Sequence, residues 1–130
     1  MSEIFEYERR VSFAETDMAG IVHFTSVLRW VEEAEAAWRR ARGEYLCARD
    51  ADGTLTGWPK VAVACEYVSP ARFEDIVLVA LSVDRDGSTS RRWKFEIRHK
   101  VSGVPVAHGT LTVVHVSVSP SGAVTKLPVH

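Results

Sequence analysis

Residues 25–42 read Thr-Ser-Val-Leu-Arg-Trp-Val-Glu-Glu-Ala-Glu-Ala-Ala-Trp-Arg-Arg-Ala-Arg, and they decide the fold that the rest of the chain must adopt. Apolar side chains recur here every three or four residues, which is the spacing of one face of an α-helix. They are Val27, Trp30, Val31, Ala34, Trp38 and Ala41. Thr25 or Ser26 is a suitable N-cap, and Gly43 is typical of a helix end. The pattern predicts one amphipathic helix from Thr25 or Ser26 to Arg42, about 27 Å long.

The segments on either side of this helix have the period of β-strands. Residues 4–14 alternate between apolar and polar side chains, as a strand with one buried face does. Four further strand-like segments follow the helix, at residues 60–68, 75–84, 90–101 and 105–118. Short turns at Asp86-Gly87 and Ser102-Gly103 connect the last three segments, so we expect these to form an antiparallel meander.

This order of elements predicts an α+β fold, because strands joined by short turns cannot run parallel. The single long helix must cover its apolar face, and a curved five-stranded antiparallel sheet offers the surface that can wrap it. Helix- and strand-breaking residues concentrate at 43–59 and 119–122, which we predict to be loops. We expect a single domain over residues 1–130, with the core at about residues 4–118 and a C-terminal tail at 119–130.

The composition argues against several classes of protein. The 130 residues carry 16 basic and 17 acidic side chains, a net charge of −1, which does not favour binding to nucleic acid through bulk charge. No apolar run reaches the roughly 18 residues that cross a bilayer. Residues 1–6 show no basic or apolar segment typical of a signal peptide, and Cys47 and Cys65 make no disulfide framework. We therefore expect a cytoplasmic protein with no nucleic-acid or membrane partner.

The loop before the helix, residues 17–24, reads Asp-Met-Ala-Gly-Ile-Val-His-Phe. A helix N-terminus has unpaired N–H donors and a partial positive charge, which stabilise an oxygen that becomes negative in a transition state. A carboxylate such as Asp17 beside those donors can attack a carbonyl or activate a water. Acyl transfer needs both groups. On local pattern alone, however, Asp-x-x-Gly more commonly marks a turn in which Asp17 is a cap and Gly20 has a positive φ.

Two segments of the chain resemble the hotdog-fold acyl-CoA thioesterases. They are Thr16-Asp17-Met18-Ala19-Gly20-Ile21-Val22-His23-Phe24 and Leu28-Arg29-Trp30-Val31-Glu32-Glu33-Ala34. The order of elements over about residues 4–118 also matches that fold, and Tyr67-x-x-Pro70-Ala71-x-x-x-Asp75 is similar to the end of its second strand. The resemblance is strongest to the 4-hydroxybenzoyl-CoA thioesterase group and the related 1,4-dihydroxy-2-naphthoyl-CoA hydrolases. It implies a hotdog fold, with one central helix inside the sheet.

The resemblance also implies an activity, the hydrolysis of an acyl-CoA thioester to a free acid and CoA, with an aromatic acyl group of the hydroxybenzoyl or dihydroxynaphthoyl type. Asp17 matches the catalytic carboxylate, which acts as a nucleophile or as a general base. Gly20 matches the motif glycine, and the backbone N–H of Phe24 matches the donor that polarises the thioester carbonyl. His23 is a candidate for orienting a water or a substrate hydroxyl, with simple packing as the alternative.

A CoA site is implied at the turn that leads into the third strand-like segment after the helix. Its candidate residues are Gly87, Ser88, Ser90, Arg91 and Arg92. Guanidinium groups suit phosphates because they offer a planar fork of donors, although a solvated strand face is the alternative. The resemblance implies no metal and no redox cofactor, since CoA is part of the substrate. Hotdog proteins pair helix to helix, which implies a homodimer at least and favours a homotetramer.

The end of the loop departs from the resembled pattern. Many relatives carry Tyr-His or Trp-Tyr where this chain has His23-Phe24, so only the N–H of Phe24 is left to act at that position. Val27 and Ser26 replace a common tyrosine and asparagine, which leaves short and medium aliphatic acyl groups open. Three other functions stay open at this point: a hydratase or dehydratase acting on enoyl-CoA, a non-catalytic acyl-CoA or acyl-carrier binding module, and hydrolysis of a thioester carried by a protein.

Overall fold

The structure is a computed structural model that describes residues 3–130. Met1 and Ser2, which belong to the segment predicted to carry no signal peptide, lie outside the described residues. The elements follow in the order β1 (Phe5–Arg10), a short 3-10 helix (Phe13–Glu15), α1 (Phe24–Ala41), β2 (Cys47–Arg49), β3 (Leu55–Gly57), β4 (Lys60–Tyr67), β5 (Ile76–Asp86), β6 (Ser90–His99), β7 (Pro105–Val114), β8 (Val116–Val118) and β9 (Val124–Lys126). Between residues 3 and 130, no helix is both long enough and apolar enough to cross a membrane.

Five strands form an antiparallel sheet in the order β1-β5-β6-β7-β4. The predicted meander is confirmed, because β5 pairs with β6 and β6 pairs with β7. The long helix α1 packs on one face of this sheet, against β1 and β5. The α+β fold with one central helix and a five-stranded antiparallel sheet is therefore confirmed.

The core lies between α1 and the inner face of the sheet. Trp30 and Ala34 on the helix are fully buried. Strands β5 and β6 contribute every second residue to the same cluster: Val77, Val79, Leu81, Trp93, Phe95 and Ile97. Each of the larger side chains stabilises the fold by about 1.5–3 kcal/mol when it is removed from water. The burial of this stripe fixes α1 on the sheet and with it the loop that precedes α1.

A glycine allows β7 to lie close to its neighbours. A Cβ atom at Gly109 would lie 1.9 Å from the carbonyl oxygen of Ala64 in β4 and 2.9 Å from Cζ of Phe95 in β6. Neither contact is sterically possible, because one atom belongs to the backbone and the other to a buried ring. Glycine is therefore required at this position, which joins β4 to the rest of the sheet.

The predicted end of the first strand and both predicted ends of the helix are wrong. Strand β1 ends at Arg10 rather than at residue 14, because the chain turns into the 3-10 helix, where the Ser12 N–H donates to the Glu15 carboxylate. Helix α1 begins at Phe24, so neither Thr25 nor Ser26 is its N-cap. The cap is His23, whose Nδ1 accepts a hydrogen bond from the Thr25 N–H. The helical stretch ends at Ala41, one residue before the predicted end.

A second sheet includes segments in which the sequence predicted no strand: β2 and β3 lie in the predicted loop 43–59, and β9 lies in the predicted tail. Strands β2, β3, β8 and β9 pair in that order, and each is only three residues long. The predicted strand 105–118 is divided at His115, where the chain passes from the first sheet to the second. Residues of the predicted C-terminal tail lie against the rest of the chain, since the N–H of Leu127 donates to the His115 carbonyl and that of Val129 to the Ser88 carbonyl.

Candidate active site

A cleft of about 510 Å³ opens beside the first turn of α1. Asp17, His23 and Phe24 line it on the helix side, and residues 67–71 line the opposite side together with Val106. Its walls are mainly apolar side chains and backbone, and its volume is within the range of small-molecule sites. The structure thus brings three of the residues predicted to be catalytic to one cleft.

The Asp17 side chain is exposed at the mouth of this cleft and belongs to a tight turn. Its Oδ1 accepts a hydrogen bond of 2.8 Å from the Ala19 N–H, while the Gly20 N–H donates to the Asp17 carbonyl over 3.0 Å. Gly20 has a φ of +77°, and a Cβ there would meet no atom within 4 Å. The turn interpretation is therefore confirmed, and glycine is needed for its conformation. Within residues 3–130, Oδ2 of Asp17 has no hydrogen-bond partner, so this oxygen is available for reaction.

Backbone pairing holds the turn against the wall of the cleft. The Asp17 N–H donates to the Ile21 carbonyl over 2.8 Å, and the strands on either side of the turn are bridged at Thr16 and Val22. The Val22 N–H then donates to the carbonyl of Ala71, also over 2.8 Å. Because Ala71 is itself a wall residue, this pairing holds the backbone of the Asp17 turn at the cleft.

The N–H of Phe24 is a free donor at the start of α1. Among the first backbone donors of the helix, that of Thr25 is taken by His23 Nδ1 at 3.3 Å and that of Ser26 by the His23 carbonyl at 2.9 Å. In the described part of the chain, the Phe24 N–H has no acceptor. The helix dipole adds a partial positive charge at the same place. This N–H can therefore donate a hydrogen bond to an oxygen that gains negative charge.

His23 has a structural function that the sequence did not predict. Because its Nδ1 accepts from the Thr25 N–H, the neutral ring carries its proton on Nε2. The ring also stacks on Phe24, with 4.8 Å between the ring centroids. His23 is thus the helix cap and, as a residue of the cleft wall, has one N–H left for hydrogen bonding.

Tyr67 holds the same helix end from the other side of the cleft. Its hydroxyl donates to the carbonyl of Phe24 over 2.9 Å. Burial raises the pKa of Tyr67 to about 12, so the hydroxyl keeps its proton at neutral pH. Burial also raises the pKa of the nearby Cys65 thiol, which disfavours the thiolate that a nucleophile needs. From the sequence, Tyr67 had no predicted function and was named only as the first residue of a segment that resembles the family.

The residues predicted to bind CoA lie at the other end of the helix. Arg91 is 7% exposed, donates twice to the carboxylate of Asp86, at 2.8 and 3.0 Å, and borders a separate cavity of about 290 Å³ that Trp38 also lines. Trp38 follows Phe24 by 14 residues, which is about 21 Å along the helix axis. Within one chain the structure therefore does not bring this segment to Asp17.

The other members of that segment are more accessible. Arg92 is on the opposite face of β6 and pairs with Asp84 at 2.6 Å. Ser88 and Ser90 flank the tip of the β5–β6 hairpin, which a hydrogen bond from the Gly87 N–H to the Ser90 carbonyl closes. The CoA function of Ser88, Ser90, Arg91 and Arg92 stays a prediction. In residues 3–130 no group of three or more His, Cys, Asp or Glu side chains is placed to hold a metal ion.

Sequence reasoning missed Glu15, a buried carboxylate next to the Asp17 turn. Glu15 is 4% exposed and accepts a hydrogen bond of 3.0 Å from Nε1 of Trp30. A signal for it was present in the sequence, because a tryptophan in the middle of a buried helix stripe needs an acceptor for its ring N–H. The sequence did not say which acceptor, since the two residues are 15 positions apart.

Comparison with known proteins connects this cleft to a family. The family model described as the thioesterase superfamily matches residues 19–106, which include Gly20, His23 and Phe24 and begin two residues after Asp17. A 1,4-dihydroxy-2-naphthoyl-CoA hydrolase from Synechococcus sp. (strain WH7803) is 30% identical over 124 residues, which cover 85% of this chain and 74% of that protein.

Two solved structures are similar in fold. The 1,4-dihydroxy-2-naphthoyl-CoA thioesterase from Synechocystis superposes with a TM-score of 0.82 at 24% identity, covering 98% of this chain and 90% of that one. The 4-hydroxybenzoyl-CoA thioesterase from Pseudomonas sp. strain CBS-3 superposes with a TM-score of 0.76 at 16% identity, covering 98% and 94%. At these identities the likeness concerns the fold alone, and with the family match it confirms the predicted hotdog fold.

Proposed function

Because the chain belongs to the thioesterase superfamily, it is a thioester hydrolase, and we propose that its substrate is an aromatic acyl-CoA of the hydroxybenzoyl or dihydroxynaphthoyl type. The names of the similar proteins support this acyl class. The mainly apolar cleft of about 510 Å³ suits a ring system of that size. The products are the free acid and CoA. The reaction needs no metal and no redox cofactor, and the enzyme acts in the cytoplasm.

One observation carries the proposal: Asp17 and Phe24 line the same cleft, and within residues 3–130 neither Oδ2 of Asp17 nor the N–H of Phe24 has a hydrogen-bond partner. A thioester seated there offers its carbonyl oxygen to the Phe24 N–H. Negative charge on this oxygen rises as the tetrahedral intermediate forms, and the donor together with the helix N-terminus stabilises it. Both groups are needed because the Phe24 N–H acts on the carbonyl oxygen, whereas Asp17 acts on the attack at the carbonyl carbon.

Asp17 completes the reaction in one of two ways. Its Oδ2 attacks the carbonyl carbon, the C–S bond breaks, CoA leaves as the thiolate, and water hydrolyses the resulting mixed anhydride. Alternatively, Asp17 takes a proton from a water that attacks the same carbon, and the thiolate leaves in the same manner. His23 and Tyr67 act on the helix end rather than on the thioester, because both are engaged with the first turn of α1.

We propose that the enzyme is a homodimer at least, and that its full assembly is a homotetramer. Strand β4 forms an edge of the five-stranded sheet, and its Val61 and Val63 are 59% and 51% exposed in the single chain. An apolar edge of this kind favours association. The hairpin with Ser88, Ser90 and Arg92 is near the far end of α1, because its Arg91 lines one cavity with Trp38, which is about 21 Å from Phe24 along the helix axis. A second copy that packs with its helix reversed supplies this hairpin to the cleft, where it binds CoA.

A thiol-release assay with a panel of aromatic and aliphatic acyl-CoA esters tests the function. We expect the highest kcat/KM with an aromatic ester. Asp17→Asn should lower kcat by about 100-fold or more, which is the usual contribution of a catalytic base, with KM changed little. Asp52→Asn is the matched control. Asp52 is exposed and accepts from the N–H two residues later, at 2.9 Å, in the same kind of turn as Asp17 but in a different part of the chain.

Other outcomes would contradict the proposal in distinct ways. An Asp17→Asn enzyme with the kcat of the wild type removes Asp17 from the mechanism. Preference for aliphatic esters refutes the aromatic acyl class. Loss of the conjugated absorbance of an enoyl-CoA without thiol release indicates the hydratase alternative, and tight acyl-CoA binding without release over the whole panel indicates a binding module. Thiol release only from an acylated carrier protein would show that the substrate is a protein-bound thioester and not an acyl-CoA.

A further inference from the structure

The carboxylate of Glu15 is buried and fully engaged. It accepts from the Ser12 N–H at 2.8 Å, from Trp30 Nε1 at 3.0 Å and from the Arg9 guanidinium, whose Nη1 lies 3.0 Å away. Burial alone would raise the pKa of Glu15, but these hydrogen bonds, with the charge of Arg9, lower it below its ordinary value. Glu15 is therefore an anion at neutral pH, and it ties strand β1, the 3-10 helix and helix α1 together.

The main chain of Glu15 is bonded to the helix start as well. Its carbonyl accepts from the His23 N–H at 2.8 Å and from the Ser26 hydroxyl at 3.3 Å. These two donors flank Phe24, whose N–H is the proposed oxyanion donor. Two residues after Glu15 in the chain comes Asp17. Glu15 is thus connected to both arms of the loop: the arm that carries the Asp17 carboxylate and the arm that carries the Phe24 N–H.

We propose that Glu15 is a positioning residue that sets the distance between the Asp17 carboxylate and the Phe24 N–H. The inference rests on the proposed function, because it assumes that these two groups act on one thioester. Within residues 3–130, the other links between the two arms are the Thr16–Val22 bridge and the hydrogen bonds of the turn, and these lie on the Asp17 side of the helix cap. Small errors of position at a reacting centre cost large factors in rate.

A matched control is available on the same arginine. Glu33 accepts from Arg9 Nε at 2.7 Å and from the Tyr7 hydroxyl at 3.0 Å, and it shares Arg9 Nη2 with Glu15. Its side chain is 30% exposed, and in the described part of the chain it makes no hydrogen bond to residues 12–26. Glu33→Gln therefore removes one carboxylate charge from Arg9 without loosening the loop that carries Asp17.

The test compares the steady-state kinetics of Glu15→Gln, Glu33→Gln and the wild type on the best acyl-CoA ester. Glu15→Gln should lower kcat by about tenfold, with KM within twofold, since substrate binding by the cleft walls is unchanged. Glu33→Gln should keep both constants within twofold. Ser26→Ala, which removes only the hydroxyl bonded to the Glu15 carbonyl, should lower kcat about threefold, and it serves as the test if Glu15→Gln does not fold.

Each contrary result has a separate meaning. A kcat within twofold of the wild type in Glu15→Gln overturns the inference, as does an equal loss in Glu33→Gln, which would show a general effect of Arg9 and β1. If Glu15→Gln does not fold, an unchanged kcat in Ser26→Ala overturns it. Failure of the proposed function is distinguishable, because it would appear as full activity in Asp17→Asn. A rise in KM with kcat unchanged would assign Glu15 to substrate binding and overturn the positioning function.

Discussion

His23 combines the cap of α1 with a position on the cleft wall, and the cap decides the state of its ring. The Thr25 N–H donates to Nδ1, which must therefore be unprotonated. The hydroxyl of Thr25 lies 2.7 Å from the same nitrogen. A ring held in this way keeps the first turn of the helix in place, and with it the Phe24 N–H. We therefore expect His23 to serve the reaction through the helix and not through contact with the thioester.

Two substitutions separate these functions of His23. Asparagine is among the best N-caps and alanine among the poor ones, whereas neither has the imidazole N–H. We expect His23→Ala to lower the free energy of unfolding by about 1 kcal/mol and to reduce kcat, while His23→Asn keeps the stability and a kcat within about threefold of the wild type. Chemical denaturation and the thiol-release assay measure the two effects. If His23→Asn kept the stability of the wild type but lost most of its kcat, the His23 ring would act directly on the thioester.

The residues of the candidate site were predictable only where the signal was local. Asp17, Gly20 and Phe24 lie within eight positions of one another in the sequence, so a motif was enough to find them. Glu15 and Tyr67 are recognised only after folding, since Glu15 meets Trp30 across 15 positions and Tyr67 meets Phe24 across 43. Contacts between residues that are so far apart in the chain produce no periodic pattern in a single sequence.

At the level of elements, the β5–β6 hairpin places two adjacent arginines in different environments. Successive residues of a strand point to opposite faces. Arg91 continues the buried row of Trp93 and Phe95, whereas Arg92 belongs to the solvent face. The guanidinium of Arg91 is enclosed by Asp86 and the rings of Trp38 and Trp93. The pair of Arg91 with Asp86 therefore stabilises the hairpin, and Arg92 is the more accessible cation for CoA.

The Arg91–Asp86 pair predicts a pH-dependent stability. The hydrogen bond from Arg91 lowers the pKa of Asp86, so the pair stabilises the fold above the ordinary carboxyl pKa of about 3.9. That contribution is lost as the pH falls through the lowered pKa. We expect Asp86→Asn to cost about 1–3 kcal/mol at pH 7 and less at acid pH, below the lowered pKa of Asp86, by urea unfolding. Asp84→Asn, which breaks the exposed pair with Arg92, should cost under about 1 kcal/mol at both. A pH-independent cost for Asp86→Asn would contradict the argument.

The second sheet shows where prediction of elements from one sequence ends. Its four strands have three residues each, too few for an alternation to be recognised. Gly53 and Gly57 in the first predicted loop, and Gly122 in the tail, all favoured turns. The long elements behave differently: α1 and strands β5 to β7 were predictable because each repeats its period over eight residues or more.

At the level of the whole molecule, the two exposed faces differ in chemistry. The outer face of the five-stranded sheet carries ion pairs that join β1 to the end of β6, across the intervening strand β5. Arg98 lies 2.6 Å from Glu6, and Lys100 lies 2.5 Å from Glu8. Charged side chains of this kind are depleted at the centres of interfaces. The edge at β4 instead exposes Val63 above a cleft of about 350 Å³ whose wall includes Leu28 of α1. A second copy should therefore pack on the β4 and α1 side and leave the outer face in solvent.

Breaking this contact should separate assembly from folding. Val63→Asp places an unpaired charge in the proposed interface, and the cost of burying that charge favours the single chain. We expect light scattering to give a dimer or tetramer for the wild type and a monomer for Val63→Asp, with thiol release strongly reduced because the hairpin of the second copy no longer reaches the cleft. Val101→Asp is the control, since Val101 is 96% exposed in the β6–β7 turn and should keep assembly and activity. A wild-type monomer with full activity would show that one chain builds the whole site.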